Sequence, residues 1–86
     1  MNQLIIMFKS RNELYGFARI LKTHNVFFSI INTPKRIASS CTLSIKTDLK
    51  NFNLTKQLLL RHQPKTFVGI YSFQSNQNGE QILRLM

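Results

Sequence analysis

The run Leu4-Ile5-Ile6-Met7-Phe8 is apolar at every position, and no longer apolar run occurs in the chain. A strand sends successive side chains to opposite faces, so an unbroken run needs cover on both. Five residues are too few for a buried helix and suit a strand at the centre of a sheet. They also fall far short of the ~20 residues that a membrane-spanning helix needs. The segment 3–9 is therefore read as strand one.

Beyond Lys9 the hydrophobic period changes. Ser10, with Glu13 three residues on, has the form of a capping box, in which each side chain satisfies a free N–H of the first helical turn. Leu14, Phe17, Ala18 and Leu21 then recur at helical spacing and make one apolar stripe. Gly16 weakens that helix by ~1 kcal/mol relative to alanine unless close packing needs it. His24-Asn25 suits its end, because asparagine tolerates the left-handed conformation. Val26 to Ile31 is β-branched and aromatic and reads as strand two. Pro34 stops it, having no N–H for a ladder. Residues 35–40 read as loop. Residues 41–47 alternate, with Cys41, Leu43 and Ile45 on one face, and read as strand three.

Asp48, Asn51 or Asn53 can cap a second helix. Leu54, Leu58 and Leu59 give it an apolar side, Phe52 staples its entry, and Pro64 ends it. Residues 66–73 read as strand four. The order β-α-β-β-α-β, with right-handed crossovers, predicts an α+β, ferredoxin-like sandwich: four antiparallel strands with two helices on one face, strands one and three central. One domain is expected over 1–74. Residues 75–86 are expected to be a polar C-terminal tail or a short extra helix.

Composition narrows the class. Eighty-six residues with one cysteine allow no internal disulfide, which fits a reducing cytoplasm rather than a secreted scaffold. No basic leader precedes the first apolar run, so no signal peptide is expected, and no membrane partner. Twelve Lys and Arg against three Asp and Glu give a net charge of +9, which attracts anions of any kind. The cations are spread along the chain, and Lys35-Arg36 is the nearest thing to a patch. Nucleic acid is the less favoured partner, because strand three has no aromatic. Phe8 and Tyr71 alone make no stacking platform.

The chemical inventory is short. The three acids do not pair for acid–base work. One cysteine and two separated histidines, His24 and His62, match no metal-site spacing. The histidines sit near helix ends, where the dipole favours them. No glycine loop is present to cradle phosphate. Cys41 remains, with two readings. Alternation puts it beside Leu43 and Ile45 as a small buried filler. Alternatively, Lys35, Arg36 and the turn amides of Ser39 and Ser40 stabilise its thiolate, the form that attacks electrophilic sulfur.

The stretch Pro34-Lys35-Arg36-Ile37-Ala38-Ser39-Ser40-Cys41-Thr42-Leu43 resembles the signature of a small bacterial family of selenium/sulfur carrier-like proteins. Its pattern runs Pro, Arg or Lys, any residue, Ile, Ser, Ser or Ala, any residue, Cys, Gly, Leu. The closing strand, through Gly69, Ile70 and Tyr71, is similar as well. The similarity covers about residues 4–74. Two positions differ: Ala38 stands in place of a serine, and Thr42 in place of the glycine after the cysteine. Thr42 is β-branched and resists the positive φ that glycine allows.

The resemblance implies a carrier, not an enzyme, holding a persulfide or perselenide on Cys41. Lys35 and Arg36 would favour the anion, Ser39 and Ser40 would donate hydrogen bonds, and Thr42 would stand beside the cysteine in the place of the family's glycine. Its partners would be a donor such as a cysteine desulfurase and an acceptor enzyme, with no cofactor. A second class is a basic module that binds protein or nucleic acid, with Cys41 structural. A homodimer through the open sheet face, using Phe67, Tyr71 and Phe73, is compatible with either.

Overall fold

A computed structural model describes residues 2–37, 43–77 and 79–86. The elements run β1 (Asn2–Phe8), α1 (Arg11–Thr23), β2 (Phe28–Asn32), β3 (Leu43–Asp48), a 3-10 turn (Leu49–Asn51), α2 (Phe52–His62), β4 (Phe67–Asn76) and β5 (Gly79–Arg84). They form an α+β structure whose single sheet has the order β2-β3-β1-β4-β5, every neighbouring pair antiparallel.

The sheet thus has five strands where four were expected, and β5 is the difference. Residues 79–84 are neither a loose tail nor a helical turn: they pair with β4 from Tyr71↔Arg84 to Asn76↔Gly79. The Asn78-Gly79 dipeptide between two extended stretches is a hairpin signal, because such turns need positive φ. Gly79 has φ +113°. The last two residues continue the edge, with the Leu85 N–H donating to Ile70 O at 2.8 Å and the Ile70 N–H donating to Met86 O at 3.1 Å.

β1 is the middle strand, and its residues from Leu4 to Phe8 are all buried. Its two faces have different partners. Leu4, Ile6 and Phe8 share one core with Ile45, Ile70, the α1 residues Leu14, Phe17, Ala18 and Leu21, and the α2 residues Leu58 and Leu59. Phe8 meets Phe17 and Phe67 at ring-centroid distances of 5.6 and 5.8 Å. Ile5 and Met7 face the other way, where no helix contributes, and pack with Ile31, Ile37, Val68, Tyr71 and Phe73.

Both helices end as their residues dictate. At the end of α1 the Val26 N–H reaches Leu21 O and the Asn25 N–H reaches Lys22 O, both at 3.0 Å, with Asn25 at φ 60°. This paired closure needs a left-handed residue after the cap, and asparagine takes that conformation at little cost. α2 stops at Gln63, also left-handed at φ 46°, just before Pro64. At the start of α1, Ser10 accepts the Glu13 N–H at 3.3 Å, but the reciprocal half of the expected capping box is replaced. The Ser10 N–H donates to Thr66 Oγ1, and the Glu13 carboxylate turns to residues 65 and 66. Asp48 caps the 3-10 turn by accepting the Lys50 N–H at 2.9 Å. Asn51 sits at the N-cap of α2 and donates its side-chain amide to Thr47 Oγ1 instead of capping.

Candidate functional site

Of the residues proposed from sequence, Ser39, Ser40, Cys41 and Thr42, together with Ala38, lie outside the described residues. Lys35 and Arg36 are described, and both side chains are exposed. The site is therefore built from the two flanks of this segment.

The leading flank leaves β2 at Asn32. Thr33 Oγ1 lies 2.6 Å from Ser44 Oγ, joining the exit of β2 to the entry of β3. Pro34 then fixes the backbone, and the Ile37 N–H closes a turn onto Pro34 O at 3.0 Å. That turn carries Lys35 and Arg36 outward and lays Ile37 against Ile5 and Met7 on the helix-free face. The trailing flank is β3. Leu43 pairs with Asn32 in the sheet and packs on the helix-side core. Ser44, one residue later, is 0% exposed.

The helix-free face is thus partly roofed by the protein's own loop. Alternation places Ser44 on that face as a polar position, and it is buried there because it lies across from Met7 and bonds to Thr33. The role of Ile37 as an anchor carries no periodic signal, since it stands alone among polar and basic neighbours. Only its packing on Ile5 and Met7 reveals it.

The aromatic residues divide between the two faces. Phe67, expected on the open face with Tyr71 and Phe73, packs on the helix side against Phe8. A bulge between Met7 and Phe8 in the β1–β4 register shifts the alternation there. Tyr71 and Phe73 are on the helix-free face. Arg84 lies over the Tyr71 ring, 5.7 Å from its centroid, and donates to Val68 O at 3.1 Å. Phe8 and Tyr71 therefore lie on opposite faces of the sheet and form no common stacking surface.

His24 is the C-cap of α1 and His62 the last residue of α2, as their sequence positions indicate. Among the described residues, no three His, Cys, Asp or Glu side chains come together in a group that could hold a metal ion, and no helix is long and apolar enough to cross a membrane.

The arrangement is a small sheet protein in which a loop, pinned at both ends, connects the edge strand β2 to the interior strand β3. Residues 3–72 match the family model described as "Putative Se/S carrier protein-like", and the chain belongs to that family. The match spans the loop and stops before β5. No curated protein and no solved structure matches the chain.

Proposed function

We propose that the protein carries a terminal sulfur or selenium atom on Cys41, passing it from a donor protein to an acceptor. The observation that carries this reading is the family match over residues 3–72, which contains the motif from Pro34 to Leu43 and its cysteine. The described flanks support it. Ile37 packs on Ile5 and Met7, and Leu43 on the helix-side core, so the residues on either side of the motif's cysteine segment are anchored.

In the proposed chemistry the Cys41 thiolate attacks the terminal sulfur of a donor persulfide, such as that of a cysteine desulfurase. One S–S bond forms on Cys41, the donor S–S bond breaks, and the donor cysteine leaves as thiolate. The exchange is redox-neutral and needs no cofactor. Lys35 and Arg36, exposed just before the segment, favour the anionic sulfur. Ser39 and Ser40 supply hydrogen-bond donors, and Thr42 replaces the family glycine. We read the four strands β4-β1-β3-β2 with their two helices as a ferredoxin-like unit to which β5 is added, and the cytoplasm as the compartment that keeps the thiol reduced.

Intact mass spectrometry tests the proposal directly. After incubation with a cysteine desulfurase and cysteine, the protein gains the mass of one sulfur, and Cys41→Ser does not. A wild-type chain that gains no mass overturns the carrier reading. Alkylation by iodoacetamide as a function of pH gives a thiol pKa below the ~8.5 of a free cysteine. A value at or above it removes the proposed electrostatic activation.

A further inference from the structure

We propose that the β2 edge of the sheet is a docking strand for an extended, acidic segment of a partner protein. Among the described residues, β2 is the last strand on its side of the sheet. In an antiparallel pair alternate residues turn their N–H and C=O groups away from the neighbour, so an edge strand presents unpaired main-chain groups that template another strand. Edges are normally protected by charge, proline or cover. β5, at the other end of the sheet, carries one such exposed charge, Arg84, beside the exposed Leu83. β2 does not: residues 23–34 contain no charged side chain. Ser29, Ile30 and Asn32 are exposed on it, Ile30 at 37%.

An apolar anchor stands at the head of this edge. The closure of α1 buries Val26 and turns the next residue outward, leaving Phe27 94% exposed. With Ile30 further along, it gives this edge two exposed large apolar side chains. The clefts beside its ring are lined by Lys46, Lys22 and Lys50. Asp48 lines two of them and keeps its charge while accepting the Lys50 N–H, so the clefts hold three cations against one anion.

The occupant is set by charge. A second copy of this chain would bring the same lysines together, on a molecule whose net charge is already +9. A strand bearing carboxylates on one side and apolar residues on the other would extend the ladder, cover Phe27 and bring its carboxylates to Lys22 and Lys50. Main-chain pairing supplies affinity in such strand addition, and alternate side chains supply selectivity. The proposal does not depend on the chemistry of Cys41, so it is tested separately from sulfur transfer.

The test uses the full chain and a fluorescein-labelled peptide of alternating glutamate and valine, with a lysine-for-glutamate peptide as control. Anisotropy is expected to show saturable, salt-sensitive binding of the acidic peptide only, with amide shifts and slowed hydrogen exchange at residues 28–32 in NMR spectra. Phe27→Ala, at a solvent-facing position, should keep the fold by circular dichroism and weaken binding about tenfold, the loss expected for an anchor side chain. Lys22→Glu with Lys50→Glu should weaken it further and reduce its salt dependence. Equal binding of both peptides, or shifts that avoid β2, overturns the proposal. So does a β2-to-β2 dimer in sedimentation, or an oligothymidylate that binds at Phe27 while the acidic peptide does not.

Discussion

Glu13, in the first turn of α1, binds the entry of β4 through Thr66. Its Oε1 accepts the Thr66 N–H at 2.5 Å and the Thr66 hydroxyl as well, while Oε2 accepts the Lys65 N–H at 3.0 Å. Thr66 in turn takes the N–H groups of Ser10 and Lys9 on its side chain and carbonyl. One carboxylate thereby ties the β1–α1 junction to a strand more than fifty residues away.

These bonds set a pH dependence. The Thr66 hydroxyl, then the Thr66 and Lys65 amides and the Lys65 charge, hold the Glu13 carboxyl below its ordinary range, against an opposing contribution from desolvation. A carboxyl whose pKa is lower in the folded state contributes stability above its unfolded value of about 4.3, and that contribution disappears as pH falls through the folded value. Glu13→Gln should cost on the order of 1 kcal/mol at pH 7 and make the acid limb of the stability curve shallower below about pH 5. Urea unfolding between pH 3 and 7 checks it, and an unchanged acid limb would refute the assignment.

Two buried hydroxyls stand without partners. Thr55 Oγ1 in α2 and Ser72 Oγ in β4, on residues 0% and 2% exposed, have no hydrogen bond among the described residues. An unsatisfied buried polar group costs about 1–3 kcal/mol. Thr55→Val keeps the shape and replaces the hydroxyl by methyl at nearly equal helix propensity. It is expected to raise stability by about 1 kcal/mol, or roughly 4–8 °C in Tm for a chain of this size. Differential scanning calorimetry decides, and a lower Tm would indicate a partner for the hydroxyl.

Two glycines should respond to alanine with opposite signs. Gly16 is exposed in the middle of α1, and an added Cβ would meet nothing within 4 Å. Close packing therefore does not explain it, and Gly16→Ala should gain about 0.5–1 kcal/mol from helix propensity and chain entropy. Gly69 lies in β4 beside the C-terminal residues, where a Cβ would come within 3.0 Å of Met86 O. Gly69→Ala should cost about 1–3 kcal/mol by overpacking, and hydrogen exchange should show the pairing of Leu85 and Met86 with Ile70 loosened first.

The Thr33–Ser44 bond should behave as a coupled pair. Thr33→Val leaves the buried Ser44 hydroxyl unsatisfied and should cost about 1–2 kcal/mol. Adding Ser44→Ala removes the orphaned group, so the double variant should be less destabilised than the sum of the two single ones. Denaturant titration of the four proteins gives the coupling, and strict additivity would show that the two hydroxyls do not cooperate.

Much was legible where the cause was local. The unbroken run from Leu4 to Phe8 required burial on both faces and occupies the middle of the sheet. The stripe of Leu14, Phe17, Ala18 and Leu21 faces the core as its spacing dictates, and Asn25 and Pro64 close their helices through their own backbone preferences. β5 was legible in part, through the Asn-Gly turn signal, but its weak alternation concealed it. The loop signature was enough to place the chain in its family.

The tertiary structure decided whatever depended on a neighbour distant in sequence. Glu13 leaves its capping partner because Lys65 and Thr66 arrive with three donors to engage. Phe67 joins the helix side because a bulge shifts the register of β4. Ser44 is buried because it lies across from Met7 and bonds to Thr33. Phe27 points to solvent while the adjacent Val26 is buried, which three consecutive apolar residues do not reveal. Periodicity encodes the face a residue takes within one element. The partners on that face are set by chain segments brought together only when the sheet closes.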